Sequence, residues 1–201
     1  MKHIVKENNP NKPWFVLLHG TGANEKDLIP LATMIDDAAN YIGVLGEVRE
    51  NGMPRFFKRF PNGEFDVADL EFRTKELHDF LMDFFKQQEI TKNQVILLGY
   101  SNGANMAQSL LLHYPKHYQY AMLLHPINVK KHVAFQCDEN THVFIGAGLY
   151  DPICPKEETV ILKERLEQSS VQVLAVFEPT DHQITTNEIA LARKWYETLP
   201  I

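Results

Sequence analysis

The stretch that most constrains this chain is the apolar run at residues 94–99, QVILLG, which leads directly into Gly99-Tyr100-Ser101-Asn102-Gly103. Helical spacing then holds from about residue 102 to 113, and Pro115 ends it. A strand without polar alternation is covered on both faces, as the central strands of parallel sheets are. The chain must therefore reverse sharply from a buried strand into a helix, with a serine at the apex. Glycines beside such an apex leave room where side chains would collide, and the strained serine holds its hydroxyl outward. The free amides and positive dipole end of the helix favour negative charge that develops there.

The rest of the chain alternates in the same way. Residues 14–18, WFVLL, read as a buried strand, and residues 25–38 space Leu28, Leu31, Ala32, Ile35 and Ala38 as a helix does. A weaker strand is expected over 41–48 and one long loop over 50–68, which is rich in Gly, Pro and Phe. Residues 69–89 carry Leu70, Leu77, Phe80, Leu81, Phe84 and Phe85 on one helical face. Strands follow at 119–124, 142–147 and 171–177, with a helix at 156–168 and a last one to about 198, which Thr185 and Glu188 would open as a capping box. Strands alternating with helices imply a parallel sheet with helices on both faces, in one domain spanning 1–201. In such sheets function gathers at the carboxyl ends of the strands.

Composition narrows the partners. Lys plus Arg number 20 and Asp plus Glu 26, a net charge of −6, which argues against a grip on nucleic acid. No basic amphipathic stretch suggests a membrane surface, and no apolar run is long enough to span a bilayer, so no membrane insertion is expected. The opening MKHIVKENNPNKP has no signal-like apolar core, and the two cysteines, Cys137 and Cys154, lack Cys-x-x-Cys spacing. Cytoplasmic residence and reduced thiols are the expectation.

A serine needs a base, and the base needs an orienting acid. In strand-turn-helix hydrolases these follow in the order Ser, Asp or Glu, His. Asp151, after the strand at 142–147, fits the acid, and His182, after the strand at 171–177, fits the base. Asp181 adjoins His182 in sequence, where side chains point apart. His125 ends a strand but precedes the acid loop, so it reads as pocket wall or structural. An oxyanion would be held by the backbone N–H of Asn102 and by one from the loop His19-Gly20-Thr21-Gly22, with Thr21 the donor. The same Gly20-Thr21-Gly22 fails as a dinucleotide fingerprint, because Glu25 stands where the third glycine should be. No His-Glu-x-x-His and no Cys/His cluster is present, so neither a metal nor another cofactor is expected.

Three segments carry a family resemblance: residues 17–28 (LLHGTGANEKDL), Glu50-Asn51-Gly52-Met53-Pro54-Arg55-Phe56-Phe57, and Gly99-Tyr100-Ser101-Asn102-Gly103-Ala104-Asn105. They resemble the phospholipase/carboxylesterase branch of the α/β-hydrolases, which includes acyl-protein thioesterase-like enzymes and is related to dienelactone hydrolases. The resemblance runs from about residue 14 to 198. It implies the α/β-hydrolase fold, a nucleophile at Ser101, an acid at Asp151, a base at His182 and oxyanion amides at Thr21 and Asn102. Thr180-Asp181 departs from it, since many relatives have glycines before the histidine. Serine in the elbow argues against dienelactone chemistry, where cysteine stands. The implied activity is hydrolysis of a small-molecule ester or thioester, and a homodimer is compatible with it. The alternative is a non-catalytic small-molecule binding protein on the same fold.

About 17 residues, 125–141, separate two strands where an inserted lid usually sits, so little or no lid is expected. The 50–68 loop is then the expected pocket wall. Phe56, Phe57 and Phe60 would be its apolar surface, and Arg55, Lys58 and Arg59 its anion contacts.

Overall fold

A computed structural model describes residues 1–201. Its centre is a seven-stranded sheet. In chain order the strands are β1 (His3–Lys6), β2 (Trp14–Leu18), β3 (Asn40–Val44), β6 (Val95–Tyr100), β7 (Tyr120–Leu124), β8 (His142–Gly148) and β9 (Gln172–Glu178). Between them, β4 (Val48–Glu50) and β5 (Met53–Arg55) form a separate hairpin. The spatial order is β1-β3-β2-β6-β7-β8-β9, parallel throughout except for β1, which runs antiparallel to β3. Every residue of β2, β3 and β7 is buried, as inner strands covered on both faces are. This is the α/β-hydrolase architecture.

Five helices cover the faces: α1 (Ile29–Ile35), α2 (Val67–Gln87), α3 (Asn102–His113), α4 (Lys156–Glu167) and α5 (Thr186–Tyr196). The twofold alternation of each strand divides the core in two. Val16, Leu18 and Leu97 meet Leu77 of α2, Leu110 of α3 and Leu162 of α4 on one side. Phe15, Leu17, Ile96 and Leu98 meet Ile35 of α1 and Trp195 of α5 on the other. Asp66 caps α2 by accepting from the Asp69 N–H, and the Thr185–Glu188 capping box opens α5. No helix is long and apolar enough to cross a membrane.

Three local expectations change. The helix expected over 25–38 is confined to Ile29–Ile35, because Asp36 leaves the helical region at φ −149°. The long loop expected over 50–68 holds most of a hairpin, turned at Asn51-Gly52 with φ 51° and 81°, and an antiparallel bridge from Arg59 to Phe65. An Asn-Gly pair is itself a strong hairpin signal, since both central positions of the tight turn need positive φ. β1 had no counterpart among the expected strands; four residues between polar neighbours carry too short a pattern to stand out.

α3 lies against the end of β2 without clearance. A Cβ on Gly103 would sit 1.9 Å from the Leu18 carbonyl oxygen, and one on Gly99 would sit 2.5 Å from the Gly103 carbonyl oxygen. Both obstacles are backbone atoms of central elements, which cannot move aside. Gly103→Ala is therefore expected to destabilise the protein by about 3 kcal/mol or more in urea denaturation, as overpacking against a fixed neighbour does. A loss under about 1 kcal/mol would mean that α3 can slide away from β2.

Candidate active site

β6 ends at Tyr100, and Ser101 adopts φ 51°, ψ −114° before α3 begins. A non-glycine residue in that region is strained, and the surroundings hold it there. The Ser101 N–H donates to the Leu124 carbonyl at 2.8 Å, which ties the end of β6 to the end of β7. The hydroxyl then faces the loop after β9, where His182 Nε2 lies 2.9 Å from Ser101 Oγ. His182 Nδ1 lies 2.7 Å from Asp151 Oδ2. The structure thus brings together the three residues expected as nucleophile, base and acid.

The His182 loop is held from several sides. The Tyr100 hydroxyl donates to the His182 carbonyl at 2.5 Å, and the Tyr150 N–H to the Thr180 carbonyl at 3.0 Å. Gly148 lets that loop approach β8, since a Cβ there would meet the Asp181 carbonyl at 2.2 Å. Asp151 is likewise fixed: its Oδ1 accepts from the N–H groups of Ile153 and Cys154, each at 2.8 Å. Burial alone would raise the Asp151 carboxyl. The Cys154 amide, His125, His182 and the Ile153 amide outweigh burial and hold it below the ordinary carboxylate value.

Thr21 and Asn102 line the same cavity as Ser101, and the backbone N–H of neither donates within the chain. That of Asn102 is a free donor of the first helical turn. The Thr21 loop is pinned at both ends. The Gly22 N–H donates to the Pro54 carbonyl at 2.9 Å, and His19, buried at its base, bonds the Gly20 carbonyl through Nδ1 and accepts the Gly46 N–H at Nε2. Burial lowers the His19 value, so the ring stays neutral with its proton on Nδ1. His19 is a supporting residue that the sequence did not single out.

The cavity measures about 290 Å³. Of the three cations expected there, Arg55 and Arg59 line it. Phe56 and Phe57 do not. They are 2% and 0% exposed and belong to the core, Phe56 against the His19 ring and Phe57 against Phe65. The apolar wall is Phe65, Ile127 and Ile153 instead. Both aromatics are spent on packing the loop onto the core, while Phe65, which pairs with Arg59 across an antiparallel bridge, lines the cavity. Phe60 is half exposed and lies in a neighbouring cleft, and Lys58 faces Asp69. His125 is not pocket wall either: its side chain is fully buried behind Asp151.

The comparisons bear on the whole chain. Residues 1–199 match the family model described as phospholipase/carboxylesterase. The chain belongs to that family. A protein named MhqD from Bacillus subtilis (strain 168), a hydrolase by name, is 44% identical over 197 residues, covering 98% of each chain. The crystal structure of the Bacillus cereus carboxylesterase superposes with a TM-score of 0.94 at 44% identity, covering 98% of this chain and 93% of that one. A carboxylesterase from Mesorhizobium loti superposes with a TM-score of 0.86 at 29% identity, covering 92% and 88%. The protein is thus an enzyme, a hydrolase of the carboxylesterase type.

Behind the candidate site, His125 extends the polar chain inward. Its Nδ1 lies 3.0 Å from Asp151 Oδ2 and its Nε2 lies 3.3 Å from Glu188 Oε2, with all three side chains fully buried. A ring facing acceptors at both nitrogens is doubly protonated where both carboxylates are ionised. Burial pulls the His125 value down, but Glu188 and Asp151 outweigh it and raise it above the ordinary histidine value. His125, Asp151 and His182 are also the residues whose ligand atoms, all within 4.8 Å of one another, could hold an ion. In this arrangement two imidazole nitrogens already converge on the Asp151 Oδ2.

The raised His125 value fixes a sign. Its stabilisation is complete below the unfolded histidine value of about 6.5 and is lost as pH rises through the higher folded one. The depressed Asp151 value works oppositely, its contribution holding above about 3.9 and fading as pH falls. His125→Gln should therefore be destabilised by about 3 kcal/mol between pH values of about 4 and 6.5, with a gap to the parent that narrows in more alkaline buffer. Urea denaturation across that range checks it; a gap that widens with pH contradicts the paired imidazolium.

Proposed function

We propose that this chain hydrolyses small carboxylic esters or thioesters through an acyl-enzyme on Ser101. The observation that carries the reading is the continuous polar path from Ser101 Oγ to His182 Nε2 at 2.9 Å, and from His182 Nδ1 to Asp151 Oδ2 at 2.7 Å, set at a strained strand-to-helix apex. His182 takes the hydroxyl proton as Oγ attacks the carbonyl carbon. The carbonyl π pair moves onto oxygen, and the N–H groups of Thr21 and Asn102 stabilise that oxyanion, assisted by the N-terminus of α3. Collapse of the intermediate breaks the ester or thioester bond, and the leaving alcohol or thiol departs with the proton from His182. Water then attacks the acyl group by the same route and frees the acid. Asp151 keeps the imidazole in the tautomer that presents a bare Nε2, and it offsets the charge of the imidazolium.

The reading of a small substrate rests on the shape of the site. No helix or strand lies between β7 and β8 to roof the site, and the cavity of about 290 Å³ is small for a ligand pocket. Each buried methylene is worth about 0.8 kcal/mol, so kcat/KM should climb over the first few carbons of a p-nitrophenyl ester series and then level off. A climb continuing past about eight carbons, at roughly three- to four-fold per methylene, would reveal a long acyl channel.

A fluorophosphonate should label Ser101 and leave Ser101→Ala unlabelled, with the variant folded and slower by on the order of a million-fold. Asp151→Asn should lose roughly ten-thousand-fold. Retention of more than a few per cent of activity by Ser101→Ala, in protein free of host esterases, would falsify the acyl-enzyme assignment.

A further inference from the structure

The cavity in front of Ser101 has a charge opposite to that of the chain around it. The protein carries a net −6, yet the fixed charges lining the cavity are Arg55 and Arg59, and no carboxylate lines it. Their counter-ion is Glu50, whose Oε2 accepts from Arg55 Nη1 at 2.6 Å and whose Oε1 accepts from Arg59 Nε at 2.7 Å. Glu50 itself faces the neighbouring cleft, with Asn51 and Phe60. Two guanidiniums share one carboxylate, so one positive charge is left over on the cavity wall.

Arg55 is the unusual member of this set. Its side chain is 4% exposed, whereas that of Arg59 is 39% exposed. Taking a guanidinium out of water is costly unless its donors and its charge are both matched. Nε donates to the Phe57 carbonyl at 3.2 Å and Nη1 to Glu50, while Nη2 donates to no acceptor in the chain. Nor is Nη2 among the polar atoms sealed from solvent. Burial pulls the Arg55 value down, with only a partial return from Glu50. A guanidinium fixed on two sides, with its remaining amino group open, suits a carboxylate better than any neutral group.

We infer that the substrate is an ester or thioester bearing a free carboxylate a few carbons from the scissile carbonyl, held by Arg55 Nη2 with Arg59 as the second cation. This rests on the reading of Ser101 as the nucleophile. The cavity of about 290 Å³ has room for one short chain between Ser101 and the arginines. Its walls divide accordingly. Phe65, Ile127 and Ile153 face the methylenes, and the arginines face the acid.

The test compares acids with neutral esters of the same length, by pH-stat. On the acyl side the pairs are the monomethyl esters of succinic, glutaric and adipic acid against methyl butyrate, valerate and hexanoate. On the alcohol side the pair is acetoxyacetate against propyl acetate. In at least one arm the acid should show a kcat/KM about 10- to 100-fold higher than its neutral match, the range of a hydrogen bond to a charged group. That ratio should fall as salt rises from about 20 mM to about 500 mM, and it should fall toward unity in Arg55→Met and in Arg59→Gln. Arg55→Met removes a buried partner of Glu50 and could unfold, so binding is read separately. Ser101→Ala protein titrated calorimetrically with monomethyl glutarate should bind it at least about 10-fold more tightly than methyl valerate. Neutral esters turned over as well as the acids in both arms, with no preference in that titration, would overturn the carboxylate subsite and leave the serine mechanism standing. Failure of the serine mechanism itself appears differently, as absent fluorophosphonate labelling, and the calorimetric comparison still decides the subsite.

Discussion

The carboxylate of Asp151 is the point on which the site depends. It is buried, and four N–H groups converge on its two oxygens: the amides of Ile153 and Cys154 on Oδ1, the imidazoles of His182 and His125 on Oδ2. A charged group removed from water has to be matched in this way, and few arrangements manage it. The donors come from three separate segments, the ends of β7, β8 and β9. One side chain therefore binds together the carboxyl edges of three neighbouring strands. Ser101 joins the fourth edge, through His182 and through its own amide on Leu124. The requirement to satisfy one charge is what sets the geometry around the Ser101 hydroxyl.

A second unit faces the first across the cavity. The β4–β5 hairpin holds the Thr21 loop through the Pro54 carbonyl, and the Phe56 amide donates to the Asn102 side chain at 2.8 Å, directly beside the elbow. The hairpin thus joins the Thr21 loop and the elbow, which carry the two amides proposed for the oxyanion, into one hydrogen-bonded body. Pre-set donors of this kind need no rearrangement when charge appears on the substrate. On the other side of the site, the glycine that lets the His182 loop approach the sheet is Gly148, on the strand beneath.

Local signals made much of this legible in the sequence. The strands at 94–99 and 142–147 and the helix at 102–113 announce themselves by unbroken apolar runs and helical spacing, and the elbow by its glycines. Asp151 and His182 were visible because chain order, strand ends and chemistry point the same way. The hairpin at Asn51-Gly52 was missed although its turn signal was present, because the flanking strands have three residues each and include Pro54. The burial of Phe56 against His19 and of Phe57 against Phe65 is a matter of tertiary packing, which no periodicity encodes. His125 and Glu188 are 63 residues apart. Glu188 was legible as half of a capping box; that it also reaches a buried imidazole is a property of the packed sheet alone.

The Ser101–His182 contact spans 81 residues of chain. Ser101 is synthesised near the middle, Asp151 fifty residues later, and His182 just ahead of the last helix. Pairings of such long range are late events in folding, and a chain emerging at about 5–20 residues per second presents its serine seconds before the histidine exists. On the proposed mechanism, a nascent or truncated chain ending before β9 lacks its base, however well its first strands pair. If turnover runs through that pair, it reports completed synthesis and folding, with no signal from a form that lacks His182.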